Sequence, residues 1–157
     1  NLPMSQLFEK GFLTRLNSLT SIYDIDHSRI CLEFTERAIL ENFIQTKAIM
    51  EQLTQDGYRF YLDDFGTGYS NFHYLSHLTP NTIKIDRSFT LKALKNDYEF
   101  GLLQHMADMT HSIDSKFCIE GIETEDQYKV LEGMRVRMVQ GYYFDRPWIY
   151  PPGYRRF

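Results

Sequence analysis

A chain of 157 residues with 43% apolar and 15% aromatic content can bury one core and is too hydrophobic to be disordered. Its formal charge of −4 argues against a large polymeric nucleic-acid footprint, and no apolar run approaches the ~18–20 residues that cross a membrane. The start, Asn1-Leu2-Pro3, has neither an initiator Met nor the basic opening of a signal peptide, so the chain is expected to be a piece of a longer protein.

In chain order, the spacing of Leu7, Phe8, Phe12, Leu16 and Leu19 predicts one helix over residues 4–19. A first β-rich run, "RICLEF" (29–34), is followed by a helix with Phe43, Ile44, Ala48, Ile49 and Leu53 on one face and Gly57 at its C-terminal cap. The second run, "YRFYL" (58–62), gives way to Asp63, Asp64 and a glycine-rich loop. A short helix with Phe72, Leu75 and Leu78 ends before Pro80, and the third run is "TIKID" (82–86). A long helix is predicted over 91–112 with Leu102, Leu103, Met106 and Met109 inward, then the fourth run, "KFCIE" (116–120). Thr124 opens a last helix carrying Tyr128, Val130 and Leu131, with Glu125 and Asp126 in its first turn. The fifth run is "RMVQGYYF" (137–144). Cys31 and Cys118 sit inside apolar runs, without metal-pair spacing, and read as buried reduced thiols that suit a cytoplasmic protein.

Strand–helix alternation without hairpin signals predicts parallel strands joined by right-handed crossovers. Each run carries a polar group at or near its end: Glu33, then Asp63 and Asp64, then Lys84 and Asp86, then Glu120, then Gln140. The carboxyl ends of parallel strands are where α/β folds build sites. If the strands close into a barrel, these groups meet at one mouth. Carboxylates and amide oxygens suit Mg²⁺, Mn²⁺ or Ca²⁺, and an aspartate pair suits two ions about 3.5–4 Å apart. Cations between them explain two adjacent like charges.

Other readings of the same residues are weaker. Asp64-Phe65-Gly66 spells a kinase magnesium triplet, but neither a glycine-rich strand loop nor a His-Arg-Asp loop accompanies it. Glu33 and Glu120 would serve as the two carboxylates of a barrel glycosidase, which leaves Asp63, Asp64 and Lys84 without a task. His73 and His77 stand four apart without the glutamate of a zinc protease and read as helix surface.

Five segments carry a resemblance: "LEFTE" (32–36), "LDDFGTGYSNFHYL" (62–75), "IKIDRSF" (83–89), "IEGIETEDQ" (119–127) and "VQGYYFDRP" (139–147). In this order they resemble the signatures of EAL domains, bacterial phosphodiesterases that open cyclic di-GMP to linear pGpG. The resemblance implies an α/β fold, a TIM-type (β/α)8 barrel of which residues 1–157 are an incomplete part, with about five parallel strands and the first strands missing. It implies two Mg²⁺ or Mn²⁺ ions with Asn1, Glu33, Asp63 and Asp64 as ligands, and Lys84 positioning the hydrolytic water. Glu120 and Gln140 complete the metal and water shell. Glu36 steadies the loop after the aspartates, and Asp86 and Glu123 fall near the substrate. The implied partners are cyclic di-GMP, a second copy in a homodimer, and upstream sensor or GGDEF-type domains in a cytoplasmic or membrane-anchored parent. Pro3 replaces the family's serine after Asn1, and the Glu-Ala-Leu segment that names the family is absent. The chain alone is therefore expected to turn over weakly or not at all, and a binding or regulatory module is the alternative.

Overall fold

The computed structural model describes residues 4–67, 75, 77–134 and 136–146. Asn1, Phe72 and His73 lie outside the described residues, as does most of the helix predicted around Leu75 and Leu78. Twelve elements and one 3₁₀ turn follow in order: α1 (Met4–Leu7), α2 (Phe12–Ile22), the turn His27–Arg29, β1 (Cys31–Thr35), α3 (Glu36–Glu41), α4 (Phe43–Gln55), β2 (Arg59–Phe65), β3 (Thr82–Ile85), α5 (Arg87–Ala93), α6 (Asp97–Ser112), β4 (Lys116–Glu120), α7 (Glu125–Leu131) and β5 (Met138–Gln140).

The five strands form one parallel sheet in sequential order, β1-β2-β3-β4-β5. Right-handed crossovers that always step the same way leave every connecting helix on one side of the sheet. This is the arc of a TIM-type barrel, and the described sheet is not closed on itself. Alternation along the strands separates the two faces. Phe34, Phe60, Leu62, Ile83, Ile85, Phe117 and Ile119 are buried against the helices. Glu33, Tyr61, Asp63, Lys84, Cys118 and Glu120 take the other parity and line the helix-free face. Cys118 is buried and Cys31 half-buried; both thiols are free, and burial pushes each up to about 11. No helix among the described residues is long and apolar enough to cross a membrane.

Local signals explain the helix ends. Gly57 has φ +91° just past α4, and the Gly57 and Tyr58 amides return to the Thr54 and Leu53 carbonyls, a Schellman ending. Thr124 caps α7 in a capping box with Gln127.

Several expectations fail for local reasons. The helix predicted over 4–19 is two, because Gly11 at φ +81° breaks the path and starts α2. The helix predicted over 91–112 is also two, because Asn96 turns out of α5 and caps α6 by accepting from the Tyr98 amide. The inward stripe of α4 runs through Thr46, Met50 and Leu53; Ile44 is 83% exposed and Ala48 is exposed. Leu19, Leu102 and Val130 are exposed as well. The second strand does not stop at Leu62 but runs on to Phe65, and the fifth is only Met138–Gln140.

Candidate active site

The C-terminal ends of the strands gather the polar residues anticipated from sequence. Glu33 lies on β1, Asp63 and Asp64 near the end of β2, and Lys84 on β3; Glu120 and Gln140 are the register-paired last residues of β4 and β5. At the centre is Lys84, whose Nζ lies 2.7 Å from Glu120 Oε1, 3.1 Å from Asp63 Oδ1 and 3.4 Å from Glu33 Oε1. Its side chain is only 9% exposed. Burial pulls the Lys84 pKa down, but Glu120 and Asp63 outweigh burial and hold it well above the ordinary lysine range. Burial pushes the Glu120 carboxyl up despite the ammonium beside it. Three acids from three strands thus share one cation. Sequence alone gave Lys84 a place in the ring but not this hub position, which depends on how the strands align.

The adjacent aspartates have a structural cause. Leu62 pairs with Ile83 and Phe65 with Ile85, so Asp63 and Asp64 together oppose the single residue Lys84: a β-bulge. Asp64 takes φ +56°, a left-handed conformation that aspartate tolerates better than most residues. The bulge lets β2 deliver two consecutive carboxylates at its end while Phe65 still returns to the buried face. Burial, with Asp63 and Asp86 nearby, pushes the Asp64 carboxyl above its usual value. Gly66 at φ +96° completes the turn, and the Thr67 hydroxyl donates to the Asp64 carbonyl.

The supporting residues divide differently. Asp86 caps α5, accepting from the Ser88 amide at 2.9 Å and from the Ser88 hydroxyl. Glu123 forms an ion pair with Arg87, and its amide donates to Gln127 Oε1 at 2.7 Å. Arg87 therefore joins the α5 and α7 sides of the rim; no sequence signal beyond its place in "KIDRSF" marked it. Gly121, with φ +82°, lies against the Arg87 side chain. Glu36 is 1% exposed in the first turn of α3, where the helix dipole favours a carboxylate. Asn1 lies outside the described residues.

Hard oxygen donors on Glu33, Asp63, Asp64 and Glu120 are chemically suited to Mg²⁺ or Mn²⁺. Four carboxylates face one ammonium, an excess of negative charge that a cation would neutralise. Asp63 Oδ1 is buried and touches Lys84 Nζ, yet it makes no hydrogen bond of acceptable geometry, so it keeps an unfilled acceptor position. Among the described residues no three acidic, histidine or cysteine side chains close on one point as an ion's ligands would. Lys84 stands between them.

The family model for the EAL domain matches residues 1–147. Over 147 residues, 94% of this chain and 20% of the relative, the chain is 31% identical to the probable cyclic di-GMP phosphodiesterase PdeA of Escherichia coli (strain K12). It is 38% identical over 90 residues, 57% of this chain and 15% of the relative, to the cyclic di-GMP phosphodiesterase PA2567 of Pseudomonas aeruginosa. The solved structure of the EAL enzyme Bd1971, in its cAMP- and cyclic-di-GMP-bound form, superposes with a TM-score of 0.87 at 32% identity, over 94% of this chain and 39% of that one. The chain thus spans a fifth or less of these two relatives' length. With the five motifs in order, the strand-end cluster in place and the family model matching residues 1–147 of the 157, the chain belongs to the EAL domain family.

Proposed function

We propose that this chain carries the catalytic strand ends of a phosphodiesterase that hydrolyses cyclic di-GMP to linear pGpG. The observation that carries the reading is Lys84 held among Glu33, Asp63 and Glu120 at the C-terminal edge of the sheet. Support also comes from the names of the relatives, which are cyclic di-GMP phosphodiesterases.

Glu33, Asp63 and Asp64, with Asn1, would hold two Mg²⁺ or Mn²⁺ ions, and Glu120 and Gln140 would complete the shell. Bound there, such ions supply Lewis-acid polarisation of the phosphate and a more acidic water. The residues of the chain do the rest. Lys84, with its raised pKa, stays protonated at neutral pH; it orients water and steadies phosphate charge as a hydrogen-bond donor, and does not act as a base. Glu120, more basic than an exposed glutamate, accepts the hydrogen bond that fixes the ammonium. Asp86 and Glu123 act through the rim they stiffen. Water attacks phosphorus in line; its oxygen forms the new bond, the ribose 3′ oxygen leaves, and the proton lost by water balances the one the alkoxide gains. The parent protein is read as a cytoplasmic homodimer with upstream sensor or GGDEF-type domains.

The test is turnover of cyclic di-GMP with Mn²⁺ by the longer protein and its Asp63→Asn and Lys84→Ala variants. Each variant is expected to lose at least about 100-fold in kcat with the fold retained by circular dichroism. Near-normal rates in either would overturn the roles. The absence of a converged ligand set among the described residues favours a second reading for the isolated chain, a module that binds without turnover. The chain assayed alone, with an Asp63→Asn/Asp64→Asn control, separates the two: pGpG that disappears in the control means the site assembles without more protein.

A further inference from the structure

The opposite end of the sheet has the opposite charge. Arg59 opens β2, Lys116 opens β4 and Arg137 precedes β5 by one residue, and all three line one cavity of about 300 Å³ with the His111 imidazole. None of the three cations forms an ion pair with a described residue, and the one carboxylate in the lining is Asp114. In a chain of net charge −4, three unpaired cations around one hollow are not an average of its surface.

The cavity is framed by backbone rather than by mobile side chains. Asn81 joins three strands, accepting from the Phe60 amide through its side chain at 2.9 Å and from the Lys116 amide through its carbonyl at 3.0 Å. Ser115 donates to the Pro80 carbonyl at 2.5 Å. Thr82, also in the lining, is fully buried with its side chain against the Tyr61 hydroxyl. A hollow lined by three cations that no described carboxylate pairs with is complementary to a multiply charged oxyanion.

We propose that this cavity binds a compact polyphosphate: inorganic pyrophosphate or tripolyphosphate, or the di- or triphosphate end of a nucleotide. Guanidinium groups take phosphate oxygens two at a time; Arg59 is on β2 and Arg137 immediately before β5, with Lys116 of β4 between them in strand order as a point charge. Arg59, Tyr61 and Asp63 share one strand and one face, so the ligand would sit about 13 Å below the acidic end by strand rise. The proposal rests on no part of the hydrolysis reading.

Isothermal titration of the chain with pyrophosphate, and with sulfate as the control anion, tests it. Pyrophosphate is expected to bind one to one and at least tenfold tighter than sulfate. The Arg59→Ala/Arg137→Ala variant should lose at least tenfold, and Lys92→Ala, on the exposed surface of α5, should bind as the unmodified chain does. Arg137→Ala alone lies outside every strand and preserves the test if the double variant does not fold. Equal affinity for pyrophosphate and sulfate, or undiminished affinity in the arginine variants, would overturn the site. GTP and ATP in the same titration identify the source: tighter binding than pyrophosphate makes a nucleotide the ligand, and equal or weaker binding makes it the free polyphosphate.

Discussion

Lys84 and Asp64 show how the charges of one cluster oppose each other. The Lys84 pKa is raised by folding, so its contribution to stability is present below about 10.5, its ordinary value, and is lost only as pH rises through the higher folded value. Removing it leaves Glu33, Asp63 and Glu120 facing one another. Lys84→Ala is expected to lower Tm at pH 7, and the loss should shrink toward pH 4.5 as Glu120, with its raised pKa, takes up a proton. Thermal melts over that range would show it. Asp64 has the reverse sign. Its carboxyl is raised, so the ionised form is disfavoured in the folded state, and stability falls as pH climbs from the ordinary 3.8 through the folded value. Asp64→Asn, which still suits a left-handed backbone, is expected to raise Tm at pH 7 and to make no difference below pH 3.8. A site that is more stable without one of its carboxylates is typical of function built against stability. The identities of these residues were legible because polar groups at the ends of apolar runs are conspicuous. Their pairings were not, since the three contacts to Lys84 depend on the alignment of strands far apart in sequence.

At the level of elements, the ends that sequence read well are those with local chemistry. Gly57 and Thr124 stand where a C-cap glycine and an N-cap threonine were expected, and both geometries are made. Gly57→Ala is expected to cost about 1 kcal/mol, the penalty for a side chain at positive φ, measurable by urea unfolding. The breaks at Gly11 and Asn96 were missed because apolar spacing continues across them, so period alone joins two helices into one. The α4 stripe was misphased because Thr46, a polar residue by type, is buried while Ile44 is not. Gly141 carried no warning in the sequence either. A Cβ there would lie 1.9 Å from the Ile122 carbonyl oxygen and 2.4 Å from its nitrogen, a backbone that cannot step aside. Gly141→Ala is expected to destabilise by about 3 kcal/mol or more and to disturb the Gln140–Ile122 hydrogen bond that holds the β4 and β5 ends together. Hydrogen exchange at the Ile122 amide would report it.

For the molecule as a whole, parallel pairing was the most legible feature. Alternation of apolar runs and helical stretches without hairpin signals predicts parallel strands, and all four described strand pairings are parallel. The spacing of the acids was not legible: among the described residues no three acidic, histidine or cysteine side chains meet at one point, and Lys84 stands among Glu33, Asp63 and Glu120. If the acidic end takes divalent cations as proposed, millimolar Mn²⁺ should raise Tm, by about 2.7 kcal/mol of stability at a hundred times its Kd, and a chelator should reverse the shift. Glu33→Gln should abolish the shift without lowering Tm in the metal-free state, since it removes one negative charge from a crowded cluster.

The bulge in β2 has a consequence for what the sheet requires. Without Asp64, Leu62, Asp63 and Phe65 would lie one for one opposite Ile83, Lys84 and Ile85, and every apolar residue would keep its present side. The architecture is thus indifferent to this residue; it is an insertion that an ordinary strand could shed. A chain lacking Asp64 is expected to fold with an unbroken ladder and a higher melting temperature, and to be inert toward cyclic di-GMP in the longer protein. The paired acids would then have entered this strand by lengthening it, not by exchanging one side chain for another.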